Sequence, residues 1–251
     1  MTDALYLADL GADPRPGGLV ELGGDEGRHA AVVKRTRVGE QLLVADGAGR
    51  AIRGPVIETS KQGLVVRIDE VLIAAPGRHR WTIVQALAKG ERSEIAVESL
   101  TELGADRIIA WQASRSVVRW DARAGIPDKS AKGLAKWQAV ARASTKQSRR
   151  FRVPDVEYAS TADIVDVIAG ADLALVAHEE ATIRLASVDV PATGEVVVII
   201  GPEGGISPDE LRCFEQAGAT AVSLGDGVLR TSSAGVVSLA QLQVLAARQA
   251  G

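Results

Sequence analysis

The stretch that decides the fold is Gly194-Glu195-Val196-Val197-Val198-Ile199-Ile200-Gly201-Pro202-Glu203-Gly204-Gly205-Ile206-Ser207. Five consecutive apolar residues, Val196 to Ile200, lack polar alternation and read as a strand buried on both faces. The strand ends abruptly in the bend Gly201–Gly205. Ser207-Pro208-Asp209-Glu210 then form a capping box with proline at the first helical position, which marks a helix start. A second unit of this kind lies downstream, where Ala221 to Leu224 runs into Gly225-Asp226-Gly227 and on to a terminal helix. Two strand–bend–helix units so close together predict one ligand site built largely from backbone.

Working outward, Trp81 to Leu87, Arg107 to Trp111 and Leu173 to Ala177 are further apolar strands. Between them fall helices over Glu94 to Leu103, stopped by Gly104, over Lys129 to Ser148, and over Thr161 to Ala169, ending at Gly170. The terminal helix, Ser232 to Arg248, carries Val236, Val237, Leu239, Ala240, Leu242, Val244 and Leu245 over a wide face, so it should be buried in its own subunit or against a partner. This alternation predicts an α/β fold with a parallel sheet covered by helices. Ahead of the break at Ala74-Ala75-Pro76-Gly77 the pattern differs. Leu19 to Leu22, Gln41 to Ala45, Ala51 to Glu58 and Leu64 to Val71 are short strand-like runs separated by glycine turns, with a helical turn or two over Glu26 to Lys34. A small β-barrel is expected there. The predicted division is residues 1–73 and 74–251.

Of 251 residues, 46% are apolar and 24% charged, as in a globular protein. No apolar run approaches the roughly 20 residues that span a bilayer, and the first residues lack a secretory signature. With Cys213 the one cysteine, a soluble, cytoplasmic protein with no membrane partner is expected. A formal net charge of −3 argues against a general nucleic-acid coat. The distribution says more. Between Lys129 and Arg152 there are eight basic residues, among them Arg149, Arg150 and Arg152, and no acid. A second patch is Lys34, Arg35 and Arg37. Such strips suit a specific polyanion contact, and equally a solvated helix face.

The bend Gly201–Gly205 matches neither common phosphate pattern, GxGxxG or GxxxxGK[ST]. Pro202 removes an amide donor and Glu203 adds negative charge where a pyrophosphate would lie. A ligand with positive charge or little charge fits better, such as adenosine or S-adenosylmethionine with its sulfonium. His29, His79 and His178 are scattered, with no metal-ligand spacing, so no metal is expected. His178-Glu179-Glu180 reads as a solvated loop after a strand. Cys213, beside Phe214 within a helix, reads as core rather than nucleophile. No GxSxG elbow supports hydrolase chemistry.

Val198-Ile199-Ile200-Gly201-Pro202-Glu203-Gly204-Gly205, Ser223-Leu224-Gly225 and Val228-Leu229-Arg230-Thr231 together resemble the knotted SPOUT-class RNA methyltransferases. More narrowly, the chain resembles the ribosomal RNA small-subunit methyltransferase E family, which methylates N3 of a uridine in 16S ribosomal RNA. Lys89-Gly90, Glu98 to Gly104, Ser114 to Val118, Lys136-Trp137 and Arg152-Val153-Pro154 extend the resemblance over nearly the whole chain. It implies an N-terminal PUA-like RNA-binding barrel, a C-terminal α/β domain with a deep trefoil knot, S-adenosylmethionine as cofactor, and a homodimer acting on 16S ribosomal RNA or the small subunit. A knot is a rare exception among folds.

The resemblance also implies where the cofactor lies: bent among three loops. Leu175 and Ala177 belong to the first. Ile200, Gly201, Gly204 and Gly205 belong to the second. Leu224, Gly225, Leu229, Thr231 and Ala234 belong to the third. Uracil N3 retains its proton at neutral pH, so catalysis needs a general base or a cation that stabilises charge on O2 or O4. Arg230 is the candidate cation or phosphate clamp, its structural alternative being an ion pair. Glu203 is the candidate base, its alternative being a carboxylate that bonds backbone amides. Lys34, Arg35, Arg37, Arg115, Arg149, Arg150 and Arg152 are the candidate RNA contacts. The chain departs from the family pattern at Asp226-Gly227 (usually Pro-Arg), at Ser232-Ser233 (usually Glu-Thr), and before Arg150, where glycine is usual. Two alternatives stand beside this reading: a knotted ribose 2′-O-methyltransferase on ribosomal or transfer RNA, and a non-catalytic RNA-binding assembly factor.

Overall fold

The computed structural model describes residues 3–122 and 127–249. The chain divides into two compact units, residues 1–76 with 145–153, and residues 77–144 with 154–251. An uninterrupted 74–251 domain is therefore not what is seen: Thr145–Val153 belongs with the first unit. The reason is packing. Phe151 and Val153 lie against Leu5, Leu7, Ala45 and Ala51, and the backbone is tied in by Gly49 N to Phe151 O (3.1 Å) and Val153 N to Gly47 O (2.9 Å).

The first unit contains β1 (Ala4–Leu7), β2 (Leu19–Leu22), α1 (Gly24–Arg28) continuing as a π-helical turn (His29–Val33), β3 (Gln41–Ala45), β4 (Arg50–Thr59), β5 (Leu64–Arg67) and β6 (Glu70–Ile73). The sheet order is β1-β3-β4-β5-β2, with β6 also on β4. The expected single strand Leu64 to Val71 is split at Ile68-Asp69, because the long β4 serves two neighbours in turn. Its outer half pairs with β5 and its first half with β6. Gly54 sits where the halves meet, and a Cβ there would stand 1.8 Å from Arg67 O. The core alternates inward along each strand, as in Leu42, Val44 and Ile52, with Tyr6 from β1. That four-residue strand was not foreseen.

The second unit contains β7 (His79–Ala86), α2 (Arg92–Leu103), β8 (Arg107–Trp111), α3 (Ser130–Ser148, its last turn in the first unit), β9 (Asp155–Ala159), α4 (Thr161–Ala169), β10 (Leu173–Ala177), β11 (Gly194–Ile200), α5 (Pro208–Gln216), β12 (Thr220–Val222) and α6 (Thr231–Gln249). All six strands are parallel, in the order β12-β10-β11-β7-β8-β9. Local signals set the helix ends: Gly104 takes φ +95° to stop α2, and capping boxes at Ser160 and Ser207 start α4 and α5.

Alternate strand residues serve the two faces. Val84, Ile109, Val176 and Ile199 meet Ile164 and Ile168 of α4 and Phe214 of α5, with Trp111 edge-on to Phe214 at 5.4 Å. Burying such rings dominates the core energetics; truncating a buried Trp or Phe to Ala typically costs about 3–5 kcal/mol. Cys213, next to Phe214, is exposed rather than core: on a helix, consecutive residues point about 100° apart, so only one of the pair faces the sheet. On the opposite face α6 rests Gly235 against Ile83, Gln85 and Leu100. Leu239 and Leu242 are buried within the unit, whereas Val244 is exposed.

Candidate active site

The site forms where parallel strands end. Ala177, Ile200 and Val222 close β10, β11 and β12, and the loops that follow converge on a cavity of ≈ 800 Å³. Ligands in open parallel sheets bind beyond the carboxyl ends of the strands, and this volume lies within the range of small-molecule sites.

The cavity brings together Ala177, Ile200, Gly201, Gly204, Gly205, Leu224, Gly225, Leu229, Thr231 and Ala234 from the three expected loops, together with Glu203 and Arg230. Leu175 is the exception. It lies two residues inside β10, in register with Val198 and Thr220, and is fully buried. Only the end of a strand opens onto the loops, so a residue at mid-strand belongs to the sheet.

The central turn is held by its own geometry and by two flanking loops. Gly205 N donates to Pro202 O at 2.9 Å, and Gly205 takes φ +72°, a left-handed conformation that glycine adopts without penalty. A Cβ on Gly204 would stand 3.0 Å from Arg115 O. Arg115 grips the turn through Nη1, which donates to Gly204 O (3.3 Å) and Ile206 O (3.4 Å). On the other side, Glu203 Oε1 accepts from Lys89 N at 3.1 Å and Arg92 Nη1 at 3.0 Å. Burial works to raise the Glu203 pKa, but these hydrogen bonds and the Arg92 charge outweigh it and hold the carboxyl below its ordinary value. A carboxylate so engaged is a weak proton acceptor, and its contacts tie the central turn to the segment after β7.

Behind the turn, Glu210 joins two loops. Its carboxylate accepts from Ser114 N (2.7 Å), Ser114 Oγ (2.8 Å), Ser207 N (3.0 Å) and Ser207 Oγ (2.6 Å). Burial opposes its ionisation, yet the four donors prevail and its pKa is lowered.

The third loop is tied down at both ends. Arg184 Nη2 meets Asp226 Oδ1 at 2.6 Å, so the departure at Asp226 has a partner in this chain. Gln241 Nε2 donates to Leu224 O at 3.2 Å. Gln85 Nε2 donates to Thr231 O at 3.3 Å, fixing the start of α6 over β7. Arg230 is exposed at the cavity, and its guanidinium has no hydrogen-bond or ion-pair partner among the described residues.

Arg92 and the loop His178-Glu179-Glu180 also line the cavity and were not foreseen. The signal for the latter was present: these residues directly follow β10, whose outgoing loop was one of the three expected. His178 Nδ1 accepts from Glu180 N at 3.3 Å, which orients the ring. Among the described residues no group of three or more His, Cys, Asp or Glu side chains is placed to hold a metal ion, and no helix is long and apolar enough to cross a membrane.

Among the candidate RNA contacts, Arg115 lies at this cavity in the second unit. The other six belong to the first unit. Lys34, Arg35 and Arg37 are exposed after the π-helical turn, and Arg149, Arg150 and Arg152 are exposed after α3. Arg152 lies over Gly49, where a Cβ would stand 2.6 Å from its Nη2. The basic strip is not uniformly available: Lys136 pairs with Glu94 and Lys146 with Glu26.

Residues 76–243 match the family described as RNA methyltransferase domain, and residues 22–69 match the RNA methyltransferase PUA domain. The chain is 46% identical to ribosomal RNA small subunit methyltransferase E of Mycobacterium bovis, over 94% of this chain and 90% of that protein. It is 29% identical to the protein of the same name from Bacillus subtilis, covering 87% of each. Among solved structures, a Legionella pneumophila methyltransferase in complex with bound SAM superposes with a TM-score of 0.84 at 29% identity, over 97% of this chain and 98% of that one. A Neisseria gonorrhoeae ribosomal RNA small subunit methyltransferase E, bound to S-adenosyl methionine, has the same fold at TM-score 0.84 and 24% identity, covering 97% and 98%.

Proposed function

The chain belongs to the ribosomal RNA small subunit methyltransferase E family of RNA methyltransferases, and on that premise we propose that it methylates N3 of a uridine in 16S ribosomal RNA with S-adenosylmethionine. The observation that carries the reading is the convergence of the loops after β10, β11 and β12 on one cavity. The residues fit that cofactor. The floor is glycine, alanine and aliphatic side chain, Pro202 offers no amide to a phosphate, and Glu179 and Glu180 supply negative charge on the wall. Ala177, Ile200, Gly201, Leu224, Gly225 and Ala234 would hold it. When bound, it supplies an electrophilic methyl group.

The rest of the chemistry falls to this chain. N3 must lose its proton, in this reading to solvent water, before it can attack the methyl group, and the charge then spreads onto O2 and O4. Arg230, unpaired among the described residues, is the group assigned to stabilise that charge. Glu203 is assigned to hold the turn rather than to take the proton. Lys34, Arg35, Arg37, Arg149, Arg150 and Arg152 are assigned to the RNA backbone, where exposed arginine recognises phosphate well. A PUA-like barrel in the first unit and the deep trefoil knot belong to the same reading. So does a homodimer, supported by exposed Val228 (78%) next to Leu229 at the cavity and by Val244 on α6.

The test is methyl transfer from labelled S-adenosylmethionine to small ribosomal subunits, and to free 16S RNA, from a strain lacking the enzyme. Nuclease mapping should place the label on one uracil base. Label on a ribose would indicate the 2′-O-methyltransferase reading, and cofactor binding without transfer would indicate an assembly factor.

A further inference from the structure

The loops after β7 and β8 each bring one arginine to the cavity wall. Arg92 follows β7 and Arg115 follows β8, adjacent strands on one side of β11. Glu179 and Glu180 follow β10, while Asp226, paired with Arg184, and Arg230 follow β12, on the other side. The central turn after β11 lies between the two groups. The lining that follows β7 and β8 is thus cationic only, whereas the other flank mixes carboxylates with Arg230.

Both arginines are held by the turn itself. Arg92 is fixed by Glu203 Oε1 at 3.0 Å, and Arg115 by Gly204 O and Ile206 O at 3.3 and 3.4 Å. Each spends only Nη1 on these contacts, and a guanidinium carries five N–H donors. Arg92 keeps 40% of its side chain exposed, and Arg115 is exposed as well. Guanidinium groups fixed at one nitrogen and open at the others are preorganised for an oxyanion, and phosphate accepts from them bidentately.

We propose that Arg92 and Arg115 hold phosphates flanking the target nucleotide, so that RNA enters the cavity from the β7–β8 side. This rests on the RNA methylation proposed above and adds to it a direction, Arg92, and for Arg115, already a candidate RNA contact, a place beside the target nucleotide. Glu203 then acts through Arg92 as a positioning residue. The one turn that lines the cofactor cavity also sets the two phosphate contacts.

Binding of unmethylated small ribosomal subunits, measured at several KCl concentrations, tests the idea, with S-adenosylmethionine titrated separately by calorimetry. Arg92→Met should weaken subunit binding by about fivefold to tenfold and reduce the salt slope by about 1, the signature of one lost phosphate contact. Because Arg92 also anchors Glu203 of the turn, cofactor affinity should fall as well, and subunit binding is measured without cofactor so that the salt slope reads the phosphate contact alone. Arg92→Lys should keep the slope, and Arg115→Gln should repeat the Met result independently should Arg92→Met fold poorly. An unchanged salt slope in both charge-removing variants overturns the proposal. So does weakened cofactor binding with unchanged subunit binding, which would assign the arginines to the cofactor carboxylate. The wild-type protein separates the two readings: failure to methylate subunits sinks the proposed function, whereas normal methylation with unchanged slopes sinks only this inference.

Discussion

Arg92 and Glu203 are joined across 111 residues of sequence by a 3.0 Å hydrogen bond from Nη1 to Oε1. The Lys89 amide donates to the same oxygen. A carboxylate in this setting is ionised, engaged and weakly basic, and its pKa is lowered despite partial burial. Glu203→Gln should therefore reduce turnover by less than about tenfold and leave the acid limb of the pH–rate profile in place. A general base would cost about 10²–10⁴ and take that limb with it. Steady-state kinetics from pH 5 to 9 separates the two.

Arg230 presents the opposite case, a cation at the cavity with no partner among the described residues. Arg230→Ala should lower kcat by about 10²–10³, the loss typical of removing one preorganised charge-stabilising donor. Calorimetry should find cofactor affinity within about twofold of wild type. Unaltered turnover would remove Arg230 from the chemistry.

Glu210 sets a stability prediction with a definite sign. Its carboxylate takes four hydrogen bonds and its folded pKa lies below the ordinary value. The stabilisation is thus fully present above the unfolded pKa of about 4.3 and is lost as pH falls through the lower folded value. Glu210→Gln should cost about 1–3 kcal/mol at pH 7. The gap to wild type should shrink below about pH 4. Denaturant melts across pH would show a constant gap if the hydrogen bonds contribute nothing.

Gly225 lines the cavity, and a Cβ there would meet nothing within 4 Å. Its glycine is required by neither backbone strain nor packing, and in the proposed function the cofactor approaches it closely. Gly225→Ala should change stability by no more than about 0.5 kcal/mol, yet weaken cofactor binding about tenfold or more because the methyl occupies the ligand's place. Equal cofactor affinity would move the binding path away from this loop.

Arg35 follows the π-helical turn at φ +55°, a conformation that costs a non-glycine residue about 1–2 kcal/mol. Arg35→Gly should stabilise the protein by about 1 kcal/mol while weakening subunit binding. Thermal melts and binding assays together distinguish a retained contact from an idle side chain, which would gain stability with no loss of affinity.

Much of the second unit was legible from local pattern. Strands β8 and β10 and helix α4 fall where apolar runs and glycine stops put them, and Ser207 and Glu210 cap α5 as their spacing predicts. The bend Gly201–Gly205 was readable as a site because a buried strand ends there and Pro202 with Glu203 disfavour phosphate. Motif resemblance supplied the cofactor loops, and all of those residues but Leu175 reach the cavity.

What the sequence determined by itself is the set of local choices: which segments bury both faces, where helices begin, and which glycines permit a bend. Those depend on neighbours three or four residues apart. What tertiary structure decided is partnership across long separations. The amino acids alone left Glu203 open between base and anchor; its contacts with Arg92 and Lys89, 111 and 114 residues away, are the observation behind the anchoring proposed for it. Likewise Arg115 lies at the central turn, His178-Glu179-Glu180 forms cavity wall, and Thr145–Val153 packs with the first unit. Strand order brings these groups together, and side-chain function follows from the partners that order supplies.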